Sequence, residues 1–182
     1  TKQGWPPRGV NIIGHSMGGL VARVVVEKTD LFRVDKVIML GTPNHGSNAS
    51  SEATCAGTGQ WRTMCREMIP NSRFLADELG YHSIRRLGPS FSQVPEYYAI
   101  GGDWISGSDG AVDATSPGLD VAPVKIFDGV CHVKAMCDRF ETGDVRVFEY
   151  IRTLFTPKLG PFDSQPTYAH MPLFNSTVTA VG

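Results

Sequence analysis

The sequence has almost no charge imbalance, with 17 basic residues against 18 acidic ones and a formal net charge of −1. A whole-chain attraction to nucleic acid or to an anionic membrane surface therefore has no electrostatic basis, and no nucleic-acid partner is expected. No apolar run reaches the roughly 18 residues that crossing a bilayer requires. Cysteine is sparse, at 4 residues, and no two form a C-x-x-C pair. That argues against a structural zinc site, including one built from Cys131, His132 and Cys137. There is no internal repeat or low-complexity block, and no signal-peptide pattern opens the chain, which starts at Thr1. Disorder is disfavoured in turn, because 41% of the residues are hydrophobic and 19% charged, and 182 residues can bury the core of one domain.

The four cysteines fall into two close pairs, Cys55 with Cys65 and Cys131 with Cys137. An even count at short separation suits two local disulfides and an oxidising compartment, so a secreted or secretory-pathway protein is expected; four free thiols would be the alternative. Two sequons, Asn48-Ala49-Ser50 and Asn175-Ser176-Thr177, agree with secretion, but such triplets arise often by chance.

The chain alternates between strand and helix signals. Gly9–Gly14 reads as a short buried strand ending on glycine, and Met17–Lys28 as a helix despite its Val24-Val25-Val26 run, because it follows directly on a turn signal. Strands are expected at 36–40, 96–100 and 124–127, and a helix around 72–79. A final amphipathic helix over 144–155 would place Val145, Phe148, Ile151 and Phe155 on one face, with Asp144 as N-cap. Residues 157–182, rich in proline and polar side chains, read as a loosely ordered tail. Strands separated by helices or long crossovers imply the α/β class, a mostly parallel sheet with flanking helices and functional loops at its C-terminal edge.

Gly14-His15-Ser16-Met17-Gly18 matches G-x-S-x-G between an expected strand and an expected helix, which is the context that the motif requires. So sharp a turn calls for small residues at Gly14 and Gly18. It would expose the Ser16 hydroxyl at a helix N-terminus and aim the Met17 backbone N–H at a developing oxyanion.

Val10 to Arg23, together with Val37-Ile-Met-Leu-Gly-Thr-Pro-Asn-His-Gly-Ser47, resembles the triacylglycerol lipases and the GPI inositol-deacylase-like esterases of the α/β-hydrolase superfamily. The similarity runs from about Val10 to Phe155. It implies a serine hydrolase acting on carboxylic esters, with no cofactor and no metal among its site residues, and with a small-molecule or lipid ester as its partner. The acid of that family follows the next core strand, where Ser108-Asp109-Gly110-Ala111-Val112 is similar to its acid turn. The histidine follows the last strand, where Gly129-Val-Cys-His132 is similar to its histidine loop. The order Ser16, Asp109, His132 is that of the superfamily. Each residue type has its reason: a serine hydroxyl needs a base to take its proton, and the base needs a carboxylate to fix its tautomer.

Asp103 and Asp113 rival Asp109 in the same loop, and His15, His45, His82 and His170 are the other histidines. His45 is expected to border the pocket. Residues 48–95 correspond to a cap or lid insert, a place for transient contact with a lipid interface. There Phe74, Leu75 and Leu79 could face substrate or belong to the core. Cys55–Cys65 would brace this insert, and Cys131–Cys137 the loop of His132. The resemblance begins at the elbow strand, so residues 1–156 are expected to be a partial hydrolase domain, the C-terminal part of a longer protein. Its N-terminal strands and the loop giving a second oxyanion donor would be missing. A shortened relative that covers the exposed edge by dimerising is the alternative. Other functions on the same residues are a lipid-remodelling deacylase or acyltransferase, and a non-catalytic binding domain.

Overall fold

The computed structural model describes residues 9–29, 33–56, 59–80 and 95–155. His82, His170, Pro89, the Asn175 sequon and the tail 157–182 lie outside the described residues. The elements follow in the order β1 (Val10–His15), α1 (Met17–Lys28), β2 (Val34–Leu40), α2 (Gln60–Glu67), a π-helical turn (Phe74–Leu79), β3 (Glu96–Asp103), β4 (Val124–Asp128) and α3 (Val145–Phe155). The four strands form one parallel sheet in the order β1-β2-β3-β4, in register from Ile13 beside Ile38 to Gly101 beside Ile126. The class is α/β, as expected.

Alternation along the strands splits the core in two. Val37, Met39, Tyr97 and Ala99 pack on one face with Ala22 of α1 and with Leu119 and Ala122. Ile38, Leu40, Ile100 and Phe127 turn to the other face and meet Val147 of α3. This period of two lets both faces of a short sheet be covered. α1 keeps its helix through the valine run because Leu20 and Ala22 are buried beneath it, so packing outweighs β-propensity.

Three expectations need correction. The strands are longer than their hydrophobic runs. β3 continues through Gly101 and Gly102, which pair with Ile126 and Phe127 of β4, and loops press on it there: a Cβ would lie 2.1 Å from the Ala114 carbonyl oxygen and 2.3 Å from that of Val130. The buried face of α3 is also rotated from the expected one. Val147 is buried and Tyr150, Ile151 and Leu154 pack with it, whereas Val145 and Phe148 are 68% and 62% exposed. Asp144 does cap the helix, its Oδ1 accepting the N–H of Arg146 at 2.8 Å. Finally, the helical turn near residue 72 is a π-helix over Phe74–Leu79, and α2 before it was not expected at all.

Candidate active site

Ser16 stands between β1 and α1 with φ 54° and ψ −132°, a conformation that costs a non-glycine residue about 1–3 kcal/mol. Hydrogen bonds on both sides hold it there: its N–H reaches the Leu40 carbonyl at 2.8 Å, and its carbonyl accepts the Gly19 N–H at 3.0 Å. The crowding that demands small residues falls at Gly14 and Gly19. A Cβ on Gly14 would lie 2.7 Å from the Gly18 carbonyl oxygen, and one on Gly19 1.9 Å from Thr42 Oγ1. Gly18, expected to be sterically required, has open space around it, because its missing Cβ would project away from the packed side of the turn.

The loops after β3 and β4 bring Asp109 and His132 to the same end of the sheet. Asp109 is buried at 1% exposure. Its Oδ1 accepts the N–H groups of Ala111 and Val112 at 2.8 and 2.7 Å, so the Gly110 turn fixes the carboxylate before any partner is considered. Its Oδ2 lies 2.7 Å from His132 Nδ1, and His132 Nε2 lies 2.8 Å from Ser16 Oγ. A carboxylate only accepts, so Nδ1 carries the proton and Nε2 is left to accept from the serine hydroxyl. Burial alone would pull the proton affinity of His132 down. The hydrogen bond and charge of Asp109, with the charge of Glu141 added, outweigh that and hold it above the ordinary imidazole value.

The rival carboxylates are engaged elsewhere. Asp113 Oδ1 accepts from Asn48 Nδ2 at 2.9 Å, and Asp103 Oδ1 from the Gly107 N–H at 2.9 Å. His45 is tied to the loop 116–118, its Nε2 3.0 Å from the Gly118 carbonyl oxygen. His15 packs its ring against that of His132, with centroids 4.6 Å apart. Cys131 is bonded to Cys137 and Cys55 to Cys65, in the expected pairing, and no cysteine is free. The first bridge flanks His132; the backbone of Cys131 is further clamped by Arg139 and Glu141 at 2.8 and 2.9 Å.

A largely apolar cleft of about 220 Å³ runs along α1 from Met17, the residue after the serine, lined by Met17, Leu20, Val21 and Val24 and by Met64, Glu67, Met68 and Phe74 of the insert. The three apolar residues singled out in the insert divide: Phe74 faces the cleft, while Leu75 and Leu79 are fully buried against Leu20. Arg23 locks this arrangement. Its guanidinium donates to Glu27 at 2.8 Å, to Asn44 Oδ1 at 3.1 Å and to the Leu79 carbonyl at 3.1 Å, joining α1, the loop after β2 and the end of the π-helical turn.

One residue of the cluster carries no sequence signal. Glu141, fully buried, places Oε2 3.2 Å from His15 Nε2 and 3.6 Å from His132 Nδ1. His15, His132 and Glu141 lie close enough to share a metal ion. Both ring nitrogens of His132 are already engaged, by Asp109 and Ser16, so it has none to offer one.

Residues 1–61 match the family model described as PGAP1-like alpha/beta domain, a hydrolase-fold family. That match spans about a third of the chain's 182 residues, from its start through β1, α1 and β2 into α2. Among solved structures the chain is similar to the mature form of the Bacillus licheniformis lipase BlEst2, at 19% identity and a TM-score of 0.49. That match covers 69% of this chain and 59% of the lipase, so the chain spans about three fifths of the lipase's length. Likeness at that level assigns neither substrate nor activity. Among curated proteins no match is found. In this parallel sheet the turns and loops bearing Ser16, Asp109 and His132 all follow strands at their C-terminal ends, the edge where open α/β sheets present functional groups.

Proposed function

We propose that the chain is a serine hydrolase of carboxylic esters, with lipid acyl esters as its substrate class. Ser16 is the nucleophile, His132 the general base and Asp109 the residue that orients it. The observation that carries this reading is the continuous pair of short hydrogen bonds from Ser16 Oγ through His132 to Asp109. Ser16 Oγ attacks the ester carbonyl as its proton passes to His132 Nε2, and the Asp109 carboxylate stabilises the imidazolium. The tetrahedral oxyanion takes a hydrogen bond from the Met17 N–H, at the N-terminus of α1 where the helix dipole favours negative charge. Collapse expels the alcohol, which leaves with the proton from His132. Water then enters by the same route in reverse and releases the acid from the acyl-serine.

The apolar cleft supports an acyl chain as the group bound, since it starts at Met17, the residue after the nucleophile, and is lined almost wholly by apolar side chains. The insert at 48–95 is in this reading a cap, of which Met64, Met68 and Phe74 line the cleft. The insert also offers Trp61, 60% exposed on α2, for transient contact with a lipid interface. Two disulfides suit a secreted protein, and no helix among the described residues is long and apolar enough to cross a membrane. Hydrolysis of p-nitrophenyl esters by the full chain tests the assignment. Turnover that vanishes in Ser16→Ala supports it, and turnover that persists in that variant rejects it.

A further inference from the structure

We propose that Glu141 is a second carboxylate of this site, a positioning residue that steadies the imidazolium of His132 alongside Asp109. The inference rests on the reading of Ser16, His132 and Asp109 as the reacting groups. Its own support is the placement of the Glu141 side chain. Oε1 is anchored by the Gly102 N–H at 3.1 Å, at the end of β3. Oε2 has no well-formed hydrogen bond, although the side chain is entirely buried. A buried carboxylate oxygen left in that condition is costly unless a positive charge compensates it. Among the described residues, the groups paired with it that can become positive are His132 and His15, with Nδ1 and Nε2 at 3.6 and 3.2 Å.

The backbone has made room for this carboxylate. Gly41, which follows β2 with φ 50°, would carry its Cβ 2.1 Å from Oε2, so no other residue fits there without displacing Glu141. His15 joins the two parts of the cluster: its Nε2 lies 3.1 Å from the His132 carbonyl oxygen as well as beside Glu141. The titratable groups facing the His132 ring among the described residues are thus Asp109 from the loop after β3, Glu141 from the loop after β4, and His15 from β1. Burial and the nearby charge of Asp109 both disfavour an ionised Glu141, while His15 and His132 oppose them. That tension is relieved when the serine proton arrives on His132. The second carboxylate therefore interacts more strongly with the charged imidazolium of the transition state than with the resting imidazole, which is the condition for an effect on rate.

The test is the titration of the His132 imidazole, followed by ¹H–¹⁵N NMR in the full chain and in Glu141→Gln. The amide keeps shape and hydrogen-bonding capacity but removes the charge, so the midpoint of His132 should move to lower pH. The acid limb of kcat/KM should move with it, and KM should change little. An unchanged midpoint would overturn the proposal. Should Glu141→Gln fail to fold, the carboxyl ¹³C signal of Glu141 in the unaltered protein replaces it. That signal should respond across the pH range where His132 titrates, and a signal indifferent to His132 overturns the proposal equally. Neither NMR readout needs turnover, so a failure of the hydrolase reading, seen as ester cleavage surviving Ser16→Ala, is told apart from a failure of this one.

Discussion

Asp109 holds His132 twice: its carboxylate meets the ring at Nδ1 over 2.7 Å, and its backbone carbonyl accepts the His132 N–H at 2.9 Å. One bond sets the tautomer of the ring and the other sets the loop that carries it. Asp109→Asn should keep the backbone bond and lose the tautomer, lowering kcat by about 10⁴. Asp113→Asn touches only the bond to Asn48 and should change kcat little. Ester hydrolysis by the two purified variants gives the comparison, and the opposite ranking would move the acid to Asp113.

The Cys131–Cys137 bridge closes a loop of sequence separation 6, so its chain-entropy contribution to stability is modest, about 2 kcal/mol. Its effect on the orientation of His132, the next residue after Cys131, should be larger. The double change Cys131→Ser and Cys137→Ser is expected to depress kcat more than the melting temperature. Calorimetry beside ester hydrolysis reads both. A variant that melts much earlier yet retains full kcat when folded would limit the bridge to a structural role.

The pH dependence follows from His132. As the base it must be neutral, and Asp109 and Glu141 hold its proton affinity above the ordinary imidazole value of about 6.5. Activity in kcat/KM should therefore fall as pH drops through a midpoint above that value. The stability linkage has the opposite sense. A group whose folded value is raised contributes its stability below the unfolded value and loses it as pH rises through the folded one. Rate profiles and thermal melts between pH 5 and 9, a range that brackets a shifted imidazole at roughly 6.5 or above, should show the two trends.

The fold and much of this cluster were legible because strong local signals mark them. The strand-turn-helix around Ser16 and the glycine turn at Asp109 each lie within a few residues, and the elements fall where the hydrophobic runs do. What local pattern could not decide was which of two overlapping apolar stripes on α3 faces the sheet. Val145, Phe148 and Phe155 make as good a stripe as Val147, Tyr150 and Leu154, but it is the second that packs with Ile38, Leu40, Ile100 and Phe127 of the sheet. Glu141 was invisible for a different reason. It belongs to no motif, and its place beside His15 and His132 arises where the end of β1 meets two separate stretches of the loop between β4 and α3. The requirement for Gly19 over Gly18 likewise depends on Thr42, which only the sheet brings to α1.

The cleft makes a prediction about substrate length. Val24 lines it on α1, and Val24→Trp would fill the far part of the space while leaving the serine untouched. Blocking the burial of a few methylenes should cost about 2 kcal/mol, or roughly thirtyfold in kcat/KM, for a p-nitrophenyl ester of a long acid. The acetate should be hydrolysed as before. Equal losses on both esters would mean that the acyl chain lies elsewhere.

The central claim is that His132 activates Ser16, and covalent labelling by a fluorophosphonate tests it most directly, since only an activated serine reacts at a useful rate. The full chain should gain a single adduct, mapped by peptide mass spectrometry to Ser16. Labelling should be lost in His132→Ala as completely as in Ser16→Ala, with both variants still folded, because the two residues act as a unit. Labelling of Ser16 that persists undiminished in His132→Ala, or an adduct on another residue, would contradict the account.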